Sequence, residues 1–338
     1  MVHWLRVAGA CVFLPSFSAA EPLPVLNLEP EATTVSGLSS GAFMAVQLQV
    51  AFSSAISGAG VVAGGPYDCA DHSLWRALNV CMDPLWIAAD PETSFDAMQA
   101  LAAENRIDPL QDVSPDRLYL FHGQSDDTVA RSTMDALRQT YELLGVSAGN
   151  LSYVTEVDAG HGFVTEQGPV TCDATRPDFL IDCDFDQAGD ILNQLYEDLS
   201  PPVEPRDEGF LTFDQAQYTN GAAGMDDIAF AYVPADCAAG EACRLHIALH
   251  GCKQGRQVID EDYARLTGYN QWAEANRIVV LYPQAIRIAS PWYNWFAGNP
   301  NGCWDWWGYS GPDYLSRTAP QLSAVARMAD AFGAPLQQ

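Results

Sequence analysis

Positive charge is scarce in this sequence. The 338 residues include 16 lysines and arginines against 43 aspartates and glutamates, which gives a formal net charge of −27 at pH 7. Lys253 is the one lysine. A surface this acidic repels phosphate backbones and anionic headgroups, so we expect neither a nucleic-acid partner nor a membrane partner. Aromatic residues make up 11% of the chain, which excludes a disordered acidic protein.

Long hydrophobic runs are also missing after the first twenty residues. No later apolar run approaches the roughly 18 residues that a membrane span needs. Near the start, Arg6 precedes an apolar run over residues 7–17 and the small residues Ser18-Ala19-Ala20. This order is typical of a secretory signal peptide that is cleaved after Ala20. We therefore predict a signal peptide over residues 1–20 and a secreted protein, either extracellular or periplasmic.

The sequence has no Cys-x-x-Cys pair and no histidine at ligand spacing beside a cysteine. Zinc is therefore not expected, and we predict no metal and no cofactor. Eight cysteines remain after the predicted signal peptide, an even number that is typical of disulfides in an oxidising compartment. Proximity in the sequence pairs six of them and elimination pairs the last two, with free buried thiols as the alternative. The predicted bonds are Cys69–Cys81, Cys172–Cys183, Cys237–Cys243 and Cys252–Cys303.

Short apolar segments alternate with helical patterns along the chain, which predicts an α/β fold with a mostly parallel sheet flanked by helices. The predicted strands are Ala32–Leu38, Arg117–His122, Ser152–Val157, Ile228–Val233, Arg244–Leu249 and Ile278–Tyr282. The predicted helices are Ala42–Ile56, Ser94–Glu104, Ser132–Leu144, Ala188–Leu199, Asp260–Ala275 and Pro320–Phe332. The one linker-like stretch, Ser200–Asp207, is interpreted as a crossover loop, so residues 21–338 form a single catalytic domain without a separate substrate-binding module.

Gly37-Leu38-Ser39-Ser40-Gly41 follows a predicted strand and precedes a predicted helix. A Gly-x-Ser-x-Gly turn in this context lifts the serine hydroxyl clear of the sheet. Ser39 is therefore the candidate nucleophile, and the Ser40 backbone N–H is a candidate oxyanion donor. The alternative is an ordinary glycine-rich turn.

A carboxylate and a histidine follow in the order that a hydrolase triad requires. Asp126 stands just beyond an apolar strand and a glycine turn, with Asp127 as its nearest rival. His161 stands between two glycines after another predicted strand. In the predicted reaction Ser39 attacks an ester carbonyl, His161 accepts its proton, and Asp126 orients the imidazole.

Only 18 residues separate the predicted cleavage site from Ser39, too few for the strands that normally precede the nucleophile of an α/β-hydrolase. A strand that runs into His250-Gly251-Cys252 instead comes late in the chain. We therefore predict a circularly permuted α/β-hydrolase fold with the Cys252 N–H as second oxyanion donor. Two unrelated small domains are the alternative.

Eight aromatic residues lie between Trp292 and Tyr309, in a segment rich in glycine, asparagine and proline. Such a segment is not expected to bury every ring, and an exposed ring suits an apolar polymer or a sugar. Trp307 or Trp304 is the predicted substrate contact, with plain core packing as the alternative.

The chain resembles the secreted poly(3-hydroxybutyrate) depolymerase family, of the single-domain, circularly permuted type, from about Thr33 to Met328. The resemblance lies in Gly-Leu-Ser-Ser-Gly, His-Gly-Gln-Ser-Asp-Asp, Ala-Gly-His-Gly, Leu-His-Gly-Cys-Lys-Gln, Leu-Tyr-Pro-Gln-Ala and Gly-Cys-Trp-Asp-Trp-Trp-Gly-Tyr. It implies the same triad and oxyanion residues, a tryptophan between 304 and 307 in a polymer cleft, and hydrolysis of short-chain polyhydroxyalkanoate esters to oligomers and 3-hydroxybutyrate.

The predicted function is therefore that of a secreted serine esterase whose partner is a polyester or oligoester substrate, and we expect a monomer. Two alternatives stay open at this point. One is an esterase for other polyesters or for feruloyl and acetyl groups of plant cell walls. The other is a secreted binding protein without catalysis.

Overall fold

The computed structural model describes residues 23–290 and 298–337. The predicted signal peptide lies outside the described residues, as do four members of the aromatic cluster: Trp292, Tyr293, Trp295 and Phe296. Within the described ranges, no helix combines the length and the apolar character needed to cross a membrane.

The centre of the fold is an eight-stranded sheet with the order β4-β3-β2-β1-β10-β11-β9-β8, and β5, β7 and β6 form a small second sheet. In chain order the strands are β1 (Thr33–Leu38), β2 (Ile56–Val62), β3 (Arg117–Phe121), β4 (Leu151–Val154), β5 (Phe163–Thr165), β6 (Val170–Thr171), β7 (Leu180–Asp182), β8 (Phe210–Asp214), β9 (Ile228–Tyr232), β10 (Arg244–Leu249) and β11 (Ile278–Tyr282). The first six strands in this order, β4, β3, β2, β1, β10 and β11, are parallel to one another. Strand β9 is antiparallel to both β11 and β8.

The α-helices alternate with these strands and cover both faces of the sheet. They are α1 (Ser40–Ala51), α2 (Leu74–Arg76), α3 (Pro91–Ala103), α4 (Arg131–Leu143), α5 (Gln187–Leu195), α6 (Ala216–Thr219), α7 (Ala235–Ala238), α8 (Arg256–Ile259), α9 (Asp262–Leu266), α10 (Tyr269–Asn276) and α11 (Pro320–Phe332). A π-helical turn covers Ala77–Met82, and 3₁₀ turns cover Leu110–Val113 and Asp207–Gly209.

The α/β class and the parallel sheet that the sequence predicts are confirmed, with three corrections. Helix α1 ends at Ala51 rather than at Ile56, because a turn over residues 52–55 leads into β2. The edge strand β8 and the three strands of the small second sheet were not predicted. The predicted helix over residues 260–275 is two helices, because Gly268 between them adopts a positive φ of 93°.

The position of β10 is the feature of the sheet that matters for the site. It lies directly beside β1 in parallel register, with Val35 opposite Ile247 and Gly37 opposite Leu249. Strands from both sides of the 200–207 segment therefore share one sheet. The carboxyl ends of β1 and β10 meet at the same edge, which brings the Ser39 turn to the His-Gly-Cys loop.

Helix α1 is buried along its whole length, from Ser40 to Ala51. A helix that is apolar on every side packs inside a protein rather than on its surface. It packs against β1 and β2 and also touches α11, so the residue that begins it, Ser40, has little freedom to move.

Four disulfides join the eight cysteines as the sequence predicts: Cys69–Cys81, Cys172–Cys183, Cys237–Cys243 and Cys252–Cys303. Three of them close short loops of 6 to 12 residues. The bond between Cys252 and Cys303 spans 51 residues and ties the loop after β10 to the aromatic segment.

A buried carboxyl under α1 predicts how stability depends on pH. Asp116 is 4% exposed and accepts a hydrogen bond of 2.7 Å from Gln49 Nε2. Burial raises the pKa of Asp116 to about 8. Because the unfolded carboxyl titrates near pH 4, the folded chain binds the extra proton between about pH 4 and pH 8, and this group makes the protein less stable as the pH rises through that range.

We expect Asp116→Asn to remove this part of the pH dependence, worth on the order of 3 kcal/mol between pH 5 and pH 8. Urea unfolding at both pH values measures it, with the exposed Asp96→Asn as matched control. A variant whose unfolding free energy changes with pH as steeply as that of the native protein would contradict the prediction.

Candidate active site

The Ser39 turn is held in a conformation that only its neighbouring glycines permit. Ser39 has φ 55° and ψ −119°, a strained combination for a residue with a side chain. A Cβ on Gly37 would lie 2.3 Å from the backbone of Gly41. A Cβ on Gly41 would lie 2.3 Å from the carbonyl oxygen of Leu249, at the end of β10. Both glycines of the Gly-x-Ser-x-Gly motif are therefore required by close backbone contacts.

His161 and Asp126 form a hydrogen-bonded pair beside this turn. His161 Nδ1 lies 2.9 Å from Asp126 Oδ2, and the side chains are 7% and 1% exposed. The second carboxylate oxygen, Oδ1, accepts hydrogen bonds from the backbone N–H groups of Thr128 and Val129, at 2.8 and 3.1 Å. The rival residue Asp127 is exposed. The geometry thus selects Asp126 as the partner of the histidine.

Two opposing effects set the pKa of Asp126. Burial raises it, but His161 and the N–H groups of Val129 and Thr128 lower it more, so the pKa of this carboxyl lies below its ordinary value. The carboxylate therefore stays ionised at neutral pH. An ionised Asp126 can only accept from Nδ1, which leaves Nε2 as the free nitrogen of His161.

Glycines also allow the Asp126 and His161 loops to approach each other. A Cβ on Gly123 would lie 2.2 Å from the carbonyl oxygen of Ala159. The Ser125 N–H donates to the same oxygen at 3.0 Å. The His161 N–H donates to Thr175 Oγ1 at 2.9 Å. These contacts fix the two loops at the ends of their strands as one unit.

Ser39 and His161 line the same cavity, of about 520 Å³. A cavity of this size holds a small-molecule ligand or a few units of a polymer. Its walls are mainly apolar, and most of them were not identified from the sequence. The apolar lining includes Leu38, Phe43, Leu74, Leu78, Met82, Val129, Phe179, Trp306 and Trp307.

The two predicted oxyanion donors come from two separate segments, the start of α1 and the loop after β10. Ser40 is the first residue of α1, so its N–H has no acceptor within the helix. Cys252 lines the cavity with Gly251 and Lys253. Among the described residues the Cys252 N–H makes no hydrogen bond, whereas the Lys253 N–H donates to Asn301 O at 2.7 Å.

The structure separates the two tryptophans that the sequence predicts as substrate contacts. Trp307 lines the cavity, 8% exposed. Trp304 does not line it: this side chain is 0% exposed, and its indole N–H donates to His250 O at 3.0 Å. The prediction for Trp304 is therefore corrected. Trp306, which lies within the range that the family resemblance implies, stacks on Phe43 with 4.0 Å between ring centroids and forms part of the wall.

The segment could bury Trp304 because side chains satisfy its backbone. Asn299 Oδ1 accepts from the Cys303 N–H at 2.8 Å, and Asn299 Nδ2 donates to Cys303 O. Asp305 accepts from the N–H groups of Gly308 and Tyr309. Polar residues that suggested an exposed loop therefore serve as internal hydrogen-bond partners.

In the described part of the chain, no group of three histidine, cysteine, aspartate or glutamate side chains is arranged to hold a metal ion. The arrangement can perform acyl transfer. It combines a serine at a strained turn with a buried histidine–carboxylate pair, and Ser39, His161 and Cys252 line one apolar cavity.

A comparison with models of protein families found no match. Among curated proteins, a poly(3-hydroxybutyrate) depolymerase of Delftia acidovorans is 40% identical over 332 residues, which cover 96% of this chain and 64% of that protein. The chain thus spans slightly less than two thirds of the length of this relative. A polyhydroxybutyrate depolymerase of Talaromyces funiculosus is 36% identical over 336 residues, covering 96% of this chain and 94% of that protein.

Two solved structures are similar over 93% of this chain and 99% of theirs, at 35% identity. One is the crystal structure of a PHB depolymerase from Penicillium funiculosum, with a TM-score of 0.84. The other, with a TM-score of 0.85, is a PHB depolymerase (S39A) complexed with an R3HB trimer.

Proposed function

The chain belongs to the polyhydroxybutyrate depolymerase family, and from this premise we propose that it is a secreted serine esterase that hydrolyses poly(3-hydroxybutyrate) and its oligomers. The observation that carries the proposal is the placement of Ser39 and His161 on one mainly apolar cavity, with His161 hydrogen-bonded to the buried Asp126. The R3HB trimer bound by a similar structure supports an oligoester as the ligand.

In the proposed reaction the Ser39 hydroxyl attacks an ester carbonyl of the polymer while His161 Nε2 takes its proton. The tetrahedral oxyanion accepts hydrogen bonds from the N–H groups of Ser40 and Cys252. His161 then donates the proton to the departing alkoxide oxygen, which leaves as the hydroxyl end of one chain fragment, and an acyl-serine remains. Water, deprotonated by His161, attacks this ester and releases a free 3-hydroxyacid end.

The charge of the cavity fits this substrate. None of the described residues that line it is an aspartate or glutamate, although the chain has 43 of them. Arg176 and Lys253 are the charged groups in its described wall. A neutral polyester needs no counter-charge for binding, and the absence of carboxylates from the cavity wall avoids repulsion of the acid that hydrolysis produces. Asp126, the acidic residue of the proposed triad, is buried behind His161 and does not line this wall.

Secretion and circular permutation also belong to the proposal. Four disulfides support export to an oxidising compartment. The parallel pairing of β10 with β1 supports a permutation in which the last part of the chain supplies the strands that usually come first. A monomer and the absence of macromolecular partners stay predictions.

Hydrolysis of polyester rather than of plant cell-wall esters is tested by product analysis. Purified protein is incubated with a poly(3-hydroxybutyrate) suspension, with soluble R3HB oligomers, and with methyl ferulate and acetylated xylan. We expect the suspension to clear and oligomers and 3-hydroxybutyrate to appear, and Ser39→Ala protein serves as the blank. Release of ferulate or acetate without release of 3-hydroxybutyrate would overturn the proposed substrate.

A further inference from the structure

The loop that carries the Cys252 N–H is fixed at nearly every polar backbone group. The Gly251 N–H donates to Gln254 Oε1 at 2.7 Å, and the Lys253 N–H donates to Asn301 O. Gly251 O lies 2.7 Å from His250 Nδ1. His250 Nε2 accepts from the Ala285 N–H at 3.0 Å, so Nδ1 carries the proton and donates to Gly251 O.

This hydrogen bond determines where the Cys252 N–H points. Gly251 O and the Cys252 N–H belong to one planar peptide and point in opposite directions. When His250 holds the carbonyl oxygen from one side, the N–H is directed to the other. The preceding peptide is fixed in the same way, because His250 O accepts the indole N–H of Trp304 at 3.0 Å.

Trp304 also contacts the other proposed donor. Its backbone N–H donates to Ser40 Oγ at 3.3 Å. One fully buried residue is thus hydrogen-bonded to both sides of the proposed oxyanion hole: to the loop before Cys252 through its side chain, and to Ser40 through its backbone. The residue before it, Cys303, is joined to Cys252 by a disulfide.

We propose that Trp304 is a positioning residue that sets the spacing between the Ser40 and Cys252 N–H groups by hydrogen bonding to both sides of the oxyanion hole. This inference rests on the proposed function, since it concerns the same reaction. Trp304 touches no substrate, and its effect is exerted through the two donors. A donor that is displaced loses most when the oxyanion forms, so the transition state is affected and substrate binding is not.

The test replaces the indole donor and keeps the ring packing, with Trp304→Phe. Because removal of a whole oxyanion donor costs about 10²- to 10³-fold in kcat, we expect a misplaced one to cost roughly 10-fold. KM for soluble R3HB oligomers should change less than about 2-fold. Phenylboronic acid, which forms a tetrahedral adduct with the serine, should bind more weakly by the same factor as the loss in kcat.

The matched control is Trp272→Phe. It removes another indole hydrogen bond, of 2.7 Å to Asp186 Oδ2, on a different part of the fold. We expect it to lower thermal stability without any change in kcat or in boronate binding. If Trp304→Phe does not fold, Ser40→Ala takes its place, since it removes the acceptor of the Trp304 N–H and keeps the Ser40 N–H. A loss of kcat and weaker boronate binding are then expected again.

Unchanged kcat and unchanged boronate affinity in the folded Trp304→Phe protein, or in the Ser40→Ala protein if the first does not fold, would overturn the positioning role. Equal losses in the Trp272→Phe control would overturn it too, since the effect would then be general destabilisation. If the native protein itself neither hydrolyses oligomers nor binds phenylboronic acid, it is the proposed function that fails.

Discussion

Replacing Ser39 with alanine is expected to lower kcat/KM for R3HB oligomers by about 10⁴- to 10⁶-fold, because the substitution removes the atom that attacks the ester. The fold should not change, since the strained backbone at residue 39 is imposed by Gly37 and Gly41 rather than by the hydroxyl. Oligomer binding should persist, because the apolar walls of the cavity remain. Steady-state hydrolysis, equilibrium binding and circular dichroism measure the three quantities.

Labelling by a fluorophosphonate adds a direct readout for the same serine. The native protein should react and the Ser39→Ala protein should not, whereas Ser147→Ala, which changes an exposed serine, should react like the native protein. The double variant Ser39→Ala/His161→Ala should be no less active than Ser39→Ala, because the two residues act as one unit. If the Ser39→Ala protein is still labelled, or if its activity is within 10-fold of that of the native protein, Ser39 is not the nucleophile.

Much of the site could be predicted because it depends on local geometry. A serine between two glycines at a strand-to-helix turn, and a histidine between two glycines after a strand, are patterns that few other structures need. The close contacts at Gly41, Gly123 and Gly160 explain why those residues are glycines. Three of the four disulfides followed from proximity in the sequence, and the fourth, Cys252–Cys303, followed by elimination.

The walls of the cavity could not be predicted, because they depend on contacts between distant segments. Phe43 is stacked on Trp306, and Leu78 and Val129 approach them from two other parts of the chain. Nothing in the local sequence of an apolar residue distinguishes a cavity wall from ordinary core. Trp304 shows the converse error: a glycine- and asparagine-rich segment suggested exposure, but Asn299 and Asp305 satisfy its backbone and allow it to be buried.

Two strands of the eight-stranded sheet were missed for reasons that lie in their composition. Strand β2 contains Gly58 and Gly60, which lower β propensity. A Cβ on Gly58 would lie 2.6 Å from Arg117 O, so the close contact with β3 requires glycine at this position. The same glycine lowers the β propensity by which the strand would have been predicted. Strand β8 is an edge strand with polar and acidic residues at its end, and its strand character comes from pairing with β9 rather than from its own pattern.

Asp126→Asn is expected to lower kcat by about 10³- to 10⁴-fold while KM changes little, since the carboxylate acts on the histidine and not on the substrate. An amide lacks the charge that stabilises the imidazolium, and its NH₂ can donate to His161 Nδ1, which would place the imidazole proton on Nε2, where the proton of Ser39 should be received. The depressed pKa of Asp126 means that the native carboxylate stays ionised well below neutral pH. The neighbouring Asp127→Asn changes an exposed carboxylate of the same loop and should leave kcat within about 2-fold of native. Full activity of Asp126→Asn together with an inactive Asp127→Asn would contradict the prediction. It would show that Asp127 is the catalytic carboxylate and that catalysis does not use the buried hydrogen bond of 2.9 Å between Asp126 and His161.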